Sequence, residues 1–234
     1  INVEKTLELM NLLDPERCQQ VIYFSTASIL DRDNTPLAAA GEIGTDYVRT
    51  KYICHQKMGE LAIAPRITTV FPTLVFGGSD TKPYSHIAGG LSEVADYIGI
   101  IRFLKADGSL HFIHAKDIAE VVRYLVDHPP AEGDARELVI GNPAKSANEV
   151  VEEISAYLGK RIYFRVPLSF GLADVIIKIF NIKMAEWDRF CMNYRHFTYQ
   201  HPVTPSSFGL EDNYPTIKDV FRAAGVVPKA EASR

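Results

Sequence analysis

Two tetrads in the chain read Tyr-x-x-x-Lys, at Tyr47–Lys51 and at Tyr214–Lys218. On a helix, positions i and i+4 share a face, so such a lysine can lie beside the phenol. A neighbouring ammonium stabilises phenolate and brings the tyrosine toward working pH, which makes it a general acid/base. The pattern is short, and a chain with 11 tyrosines meets it by chance, so context has to separate the two. Thr45 or Asp46 can cap a helix that carries Tyr47 and Lys51 on to Leu61. Tyr214 is followed by Pro215, which suits a first helical turn and leaves the tyrosine at or before its start. The second tetrad reads as a decoy.

Hydroxyls gather at Ser25-Thr26-Ala27-Ser28, at the end of the apolar run Val21–Ser25. That run has the pattern of a strand covered on both faces, and ligands of α/β sheets bind at such strand ends. Thr26 there can hydrogen-bond a substrate carbonyl or alkoxide while Tyr47 moves the proton. A plainer reading also fits, with turn hydroxyls and a half-buried surface aromatic, and these residues alone leave both open.

The elements that must position these groups alternate between helix and strand. Val3, Leu7, Met10 and Leu13 repeat at helical spacing and stop at Asp14-Pro15. A loop is expected over Asp31–Gly44, then the Tyr47 helix, then a buried strand over Arg66–Phe71 that Pro72 ends. Ser92–Leu104 reads as a helix whose end could equally be extended, with Asp107-Gly108 as a hairpin turn into Ser109–Ile113. Asp117 is expected to cap the next helix, Glu137–Ile140 is a strand, and Ser146 with Glu149 forms a capping box. Gly159 suits that helix's C-terminus; Ile162–Val166 reads as a strand, Ser169–Phe180 as an apolar helix and Thr216–Ala224 as the last helix.

Composition narrows the function classes. The 234 residues carry a net charge of −4 with no long basic run, which excludes nucleic acid as a partner. Three widely spaced cysteines form no disulfide framework, so a reducing, cytoplasmic setting is expected. The longest apolar stretches are too short to span a bilayer. His111 and His114, at i and i+3, would face opposite sides of a strand, so no metal site is expected.

The hydroxyl-rich strand end, Tyr47-Val48-Arg49-Thr50-Lys51 and Thr69–Gly77 together resemble the extended short-chain dehydrogenase/reductase superfamily, and more narrowly its NAD-dependent epimerase/dehydratase group. Asn2-Val3 with Thr6–Leu13, Phe112–Ala119 and Leu138–Asn142 agree with it in order and spacing. The resemblance implies an α/β fold: a Rossmann-like doubly wound parallel sheet, its N-terminal strands missing, with a smaller mixed α/β C-terminal substrate region. Residues 1–140 would be the C-terminal part of the NAD(P)-binding domain with interleaved substrate segments, and residues 141–234 mainly the small substrate-binding region. It implies NAD or NADP as cofactor, and hydride transfer between nicotinamide and a carbonyl or alcohol carbon. Tyr47 would be the acid/base, Lys51 its partner and a ribose contact, and Thr26 the group that orients the substrate oxygen. Ser25 and the loop Pro72-Thr73-Leu74-Val75 would line the cofactor, and Ser28, Ser85 and His86 would face a small-molecule carbonyl, alcohol or nucleotide-sugar substrate. A homodimer through the helices at Glu4–Leu13 and Tyr47–Leu61 is implied as well.

Several positions depart from that pattern. No Gly-x-x-Gly-x-x-Gly turn is present and the first residue is Ile1, so a fragment of a longer reductase, inactive by itself, is expected. Ile29-Leu30-Asp31 stands where Val-Tyr-Gly is usual, Phe71 where an arginine is, and His55 where a glutamate is. A noncatalytic NAD(P)-binding sensor or assembly protein on the same fold is the alternative function.

Overall fold

The computed structural model describes residues 2–78, 89–131, 133–169, 171–172, 178–179 and 183–228. In chain order it begins with α1 (Asn2–Asn11), β1 (Val21–Phe24), α2 (Ala38–Glu42), α3 (Asp46–Met58), β2 (Ile67–Pro72) and β3 (Leu74–Phe76). There follow α4 (Leu91–Ile101), β4 (Leu104–Lys105), β5 (Ser109–Leu110), β6 (Phe112–His114), α5 (Ala115–Asp127) and β7 (Glu137–Ile140). The remainder holds β8 (Lys145–Ser146), α6 (Ala147–Tyr157), β9 (Val166–Pro167), α7 (Glu186–Tyr194), β10 (His196–Phe197) and α8 (Ile217–Ala223). These elements fall into two compact units. The first takes in Ile1–Thr73, Asp117–Asn142 and Tyr199–Asp212; the second takes in Leu74–Lys116, Pro143–Thr198 and Asn213–Arg234.

The first unit is built on a parallel sheet in the order β1-β2-β7. Parallel neighbours need a crossover, and α3 supplies it between β1 and β2. All six residues of β2 are buried, which explains its unbroken apolar and threonine run. Strand β1 lies at the edge of this sheet, and only Tyr23 in it is buried, so the expected cover on both faces does not extend to it. Met10 from α1, Tyr23 from β1, Cys54 and Met58 from α3, and Ile63 and Ile67 form one core cluster, with Val3 and Leu7 packed against it. The apolar repeat of α1 is thus spent on α3.

Part of the segment expected as a loop, Asp31–Gly44, is the short helix α2, which packs against α3. Glycines permit that approach. A side chain at Gly44 would run into the Ala40 carbonyl, and one at Gly41 would meet the Tyr52 ring at 2.7 Å. Thr45 then caps α3, its hydroxyl accepting from the Val48 amide at 3.3 Å.

The second unit pairs β3 with β6 and β4 with β9 in parallel, and sets β5 between β10 and an antiparallel β8. Phe76, Leu91, Ile98, Phe112, Ile154, Ile217, Val220 and Phe221 form its core. The Ser146–Glu149 capping box is present on α6, and Gly159 follows that helix at φ 66°, as the sequence suggests. The Asp107-Gly108 hairpin is not formed. Gly108 is not at the positive φ such a turn needs, and β4 and β5 pair with different strands. Asp117 lies fully buried inside the first turn of α5 rather than ahead of it. Strand Ile162–Val166 shrinks to Val166–Pro167. Most of the apolar stretch Ser169–Phe180 and the tail Lys229–Arg234 lie outside the described residues.

Candidate active site

Tyr47 and Lys51 sit in the first half of α3. The Lys51 ammonium reaches back to β1, where it donates to the Phe24 carbonyl at 2.5 Å and lies 4.7 Å from the centroid of the Tyr23 ring, over its face. That is the end of β1, one residue before Ser25. The strand end and the tetrad are therefore brought together by a side chain rather than by sequence proximity. Tyr47 remains 55% exposed, so its phenol is open to a ligand from solvent.

Past the strand, the chain turns at once. Thr26 is the N-cap of a 3-10 turn over Ala27–Ile29, which packs on α3. Its hydroxyl accepts from the Ser28 amide and donates to the Ser28 hydroxyl, both at 3.3 Å, lengths at the weak end for such bonds. Ser25 and Thr26 are buried, at 4% and 8% exposure. The Ser25 Oγ has no hydrogen-bond partner among the described residues. A buried hydroxyl without a partner costs free energy unless a ligand or water completes it.

Two groups here depart from their ordinary titration. Burial holds the Lys51 ammonium below the usual lysine range, opposed by the Cys54 side chain one turn further along α3. Burial, then the neighbouring Cys54 side chain, then Tyr47 push the Tyr23 phenol well above its usual value. Tyr23 and Cys54 were not singled out from the sequence. The available signal was a phenol in an otherwise apolar strand, two residues before the hydroxyl cluster.

The residues expected to line the cofactor span the end of β2 and the start of β3. Pro72 is the last residue of β2, Thr73 holds the Ile140 carbonyl through both its amide and its hydroxyl at 3.1 Å, and Leu74 and Val75 already belong to β3 of the second unit. Ser85 and His86 lie outside the described residues. Ser28 sits in the 3-10 turn against Thr26. Among the described residues no group of three or more His, Cys, Asp or Glu could hold a metal ion, and no helix is long and apolar enough to cross a membrane.

With this geometry in place, the comparisons with known proteins decide the lineage. The family model described as the NAD dependent epimerase/dehydratase family matches residues 1–141. The chain belongs to that family. Its solved structural neighbours share the fold at low identity. Similar structures include dTDP-glucose 4,6-dehydratase from Bacillus anthracis in complex with NAD, 15% identical with a TM-score of 0.54, the match covering 96% of this chain and 67% of that one. A human epimerase family protein with NADPH is 14% identical with a TM-score of 0.55, covering 95% and 73%. L-threonine dehydrogenase from Phytophthora infestans is 13% identical with a TM-score of 0.58, covering 99% and 70%. A search of curated proteins found no match. The Rossmann-like α/β architecture expected from the sequence is thus the fold of this chain, and the family it resembles is its own.

Proposed function

We propose that the protein is an NAD(P)-dependent oxidoreductase or epimerase of the short-chain type, with Tyr47 as its acid/base. The observation that carries this reading is the reach of Lys51 from α3 to the Phe24 carbonyl, which ties the helix of Tyr47 and Lys51 to the strand end that precedes Ser25 and Thr26. Residues 1–140 would belong mainly to the cofactor-binding part, with interleaved substrate segments, and residues 141–234 mainly to the substrate region.

The residues present suit a dinucleotide at this place. Lys51 has donor capacity beyond its bond to Phe24, which fits a ribose diol, and the unpartnered Ser25 Oγ offers a hydroxyl where such a ligand would pass. Lys51 with Ser25 would hold the cofactor, together with Pro72 and Thr73. When bound, a nicotinamide supplies hydride transfer to or from a substrate carbon.

The chain's own part is the proton. Tyr47, exposed at the mouth of the site, gives its hydroxyl proton to a developing alkoxide or takes it from an alcohol. Lys51 follows Tyr47 by one turn of the same helix, where an ammonium would stand beside the phenol. Thr26 can turn its hydroxyl from the long bond with Ser28 to the substrate oxygen and fix its direction. A nucleotide sugar is one substrate class, by analogy with the dTDP-glucose dehydratase, and a simpler carbonyl or alcohol is the other. The 234 residues hold no Gly-x-x-Gly-x-x-Gly turn, so we expect no turnover from these residues alone. Three free thiols suit a reducing cytoplasm, and exposed Leu9 and Leu12 at 64% and 83% suit a homodimer.

The test is made on a chain that carries a pyrophosphate-binding turn ahead of these residues. NADH or NADPH binding is followed by fluorescence, and turnover is followed across carbonyls and nucleotide sugars. Tyr47→Phe should keep cofactor binding and lose turnover. Equal behaviour of wild type and variant across the panel would overturn the reading in favour of a binding protein.

A further inference from the structure

We propose that Tyr23 is a positioning residue of this site, its ring face forming the platform on which the Lys51 ammonium is held at the strand end. The inference rests on the reading of Tyr47 and Lys51 as the proton-moving pair, and it assigns a role to a side chain that the reading leaves unused.

A lysine ammonium rides on a flexible four-carbon stem with three rotatable donors, so one hydrogen bond does not fix it. Here two contacts converge on it from β1. The Phe24 carbonyl takes one donor at 2.5 Å, and the Tyr23 ring lies with its centroid 4.7 Å away, inside the range of a cation–π contact. Both come from adjacent residues of one strand, whose alternation turns the Tyr23 side chain inward while the Phe24 side chain faces out.

The ring is itself clamped. Tyr23 and Cys54 belong to one buried cluster, and the Cys54 thiol points to the Val3 carbonyl of α1 at 4.0 Å. A chain of contacts thus runs from α1 through Cys54 to Tyr23 and ends under Lys51. An aliphatic residue at position 23 could fill the same core space between Met10, Met58 and Ile67, but it would offer the cation no quadrupole.

The experiment needs no substrate. Lysines of the protein are reductively methylated with 13C-formaldehyde, and the dimethyl-lysine signals are followed by NMR, with Lys51→Arg identifying the Lys51 signal. A dimethylammonium keeps its charge and one donor. Placed over the Tyr23 face, it should resonate upfield of the other lysines and titrate below them. Tyr23→Phe, which keeps the ring and loses the hydroxyl, should retain the upfield shift; Tyr23→Leu should lose it. A wild-type Lys51 signal inside the common lysine envelope overturns the proposal, and so does an upfield shift that survives in Tyr23→Leu. Should Tyr23→Leu fail to fold by circular dichroism, the wild-type and Tyr23→Phe spectra still decide. A missing shift beside a dead Tyr47→Phe variant sinks the platform and leaves the acid/base reading intact. A present shift beside an active Tyr47→Phe variant does the reverse.

Discussion

Tyr47 and Lys51 stand one turn apart on the 13-residue α3, whereas Tyr214 precedes Pro215 and its helix, α8, begins only at Ile217. In the first tetrad the phenol is exposed and the ammonium is drawn to a strand end. In the second the arrangement is inverted: Tyr214 lies against the buried His114, ring centroids 3.8 Å apart, and Lys218 is exposed. The same five-residue pattern therefore gives a pair open to a ligand in one place and a packed ring with a solvated cation in the other. What separates them is helix phase, set by Thr45 in one case and by Pro215 with Thr216 in the other.

The contrast is sharpest in activity. In a chain that carries the pyrophosphate-binding turn, Tyr47→Phe should lower turnover by about 10²–10⁴-fold, the usual worth of a positioned acid/base, while Tyr214→Phe stays within about twofold. Steady-state kinetics on the two variants checks this, and a comparable loss in Tyr214→Phe would erase the distinction. Stability should reverse the order. Tyr214→Ala removes a ring packed on His114 and should cost about 2 kcal/mol in denaturant unfolding, whereas Tyr47→Ala, at a position 55% exposed, should change it by no more than about 0.5 kcal/mol. A smaller effect is expected at Ser25. Ser25→Ala deletes a buried hydroxyl that has no partner, so the protein alone should be unchanged or more stable by about 1 kcal/mol. If Ser25 serves the cofactor, NAD(P) binding should weaken in the same variant, measured by titration.

What could be read from the sequence was mostly local. The caps at Thr45 and Ser146, the αL glycine at Gly159 and the buried run of β2 depend on a few neighbouring residues, and each stands where the sequence suggests. Pairings that depend on distant partners were not readable. Asp107-Gly108 carries a hairpin's letters, yet β4 takes Val166–Pro167 as its partner and β5 takes His196–Phe197 and Lys145–Ser146. The two departures at Phe71 and His55 look unrelated along the chain. In the fold they touch: the rings meet edge-on at 5.2 Å, and the His55 Nε2 lies 3.5 Å from a Glu137 carboxylate oxygen. One contact thus joins α3, β2 and β7, and it carries no signature in any one of the three segments. The site follows the same rule. Tyr47, Lys51 and Thr26 were visible as residue types, but the Tyr23 ring under Lys51 was not, because strand alternation and helix phase had to be known together.

The last difference between the tetrads is one of charge in the fold. Burial lowers the titration of Lys51, so the unfolded chain binds its proton more tightly than the folded one. The cost is fully present below the folded value and is relieved as pH rises from there to the ordinary lysine range. Stability therefore rises with pH through that window on account of this residue. Lys51→Met removes the charge while keeping most of the stem in place, and it should raise Tm at pH 7, with the gain shrinking toward pH 10. Lys218 is exposed, and Lys218→Met should shift Tm little at either pH. Thermal unfolding of the two variants beside the wild type at both pH values measures this directly. A Lys51→Met protein less stable than wild type at pH 7 would mean that the Phe24 and Tyr23 contacts outweigh the burial of the charge. The first tetrad would then be a structural clamp, much as the second is a packed ring.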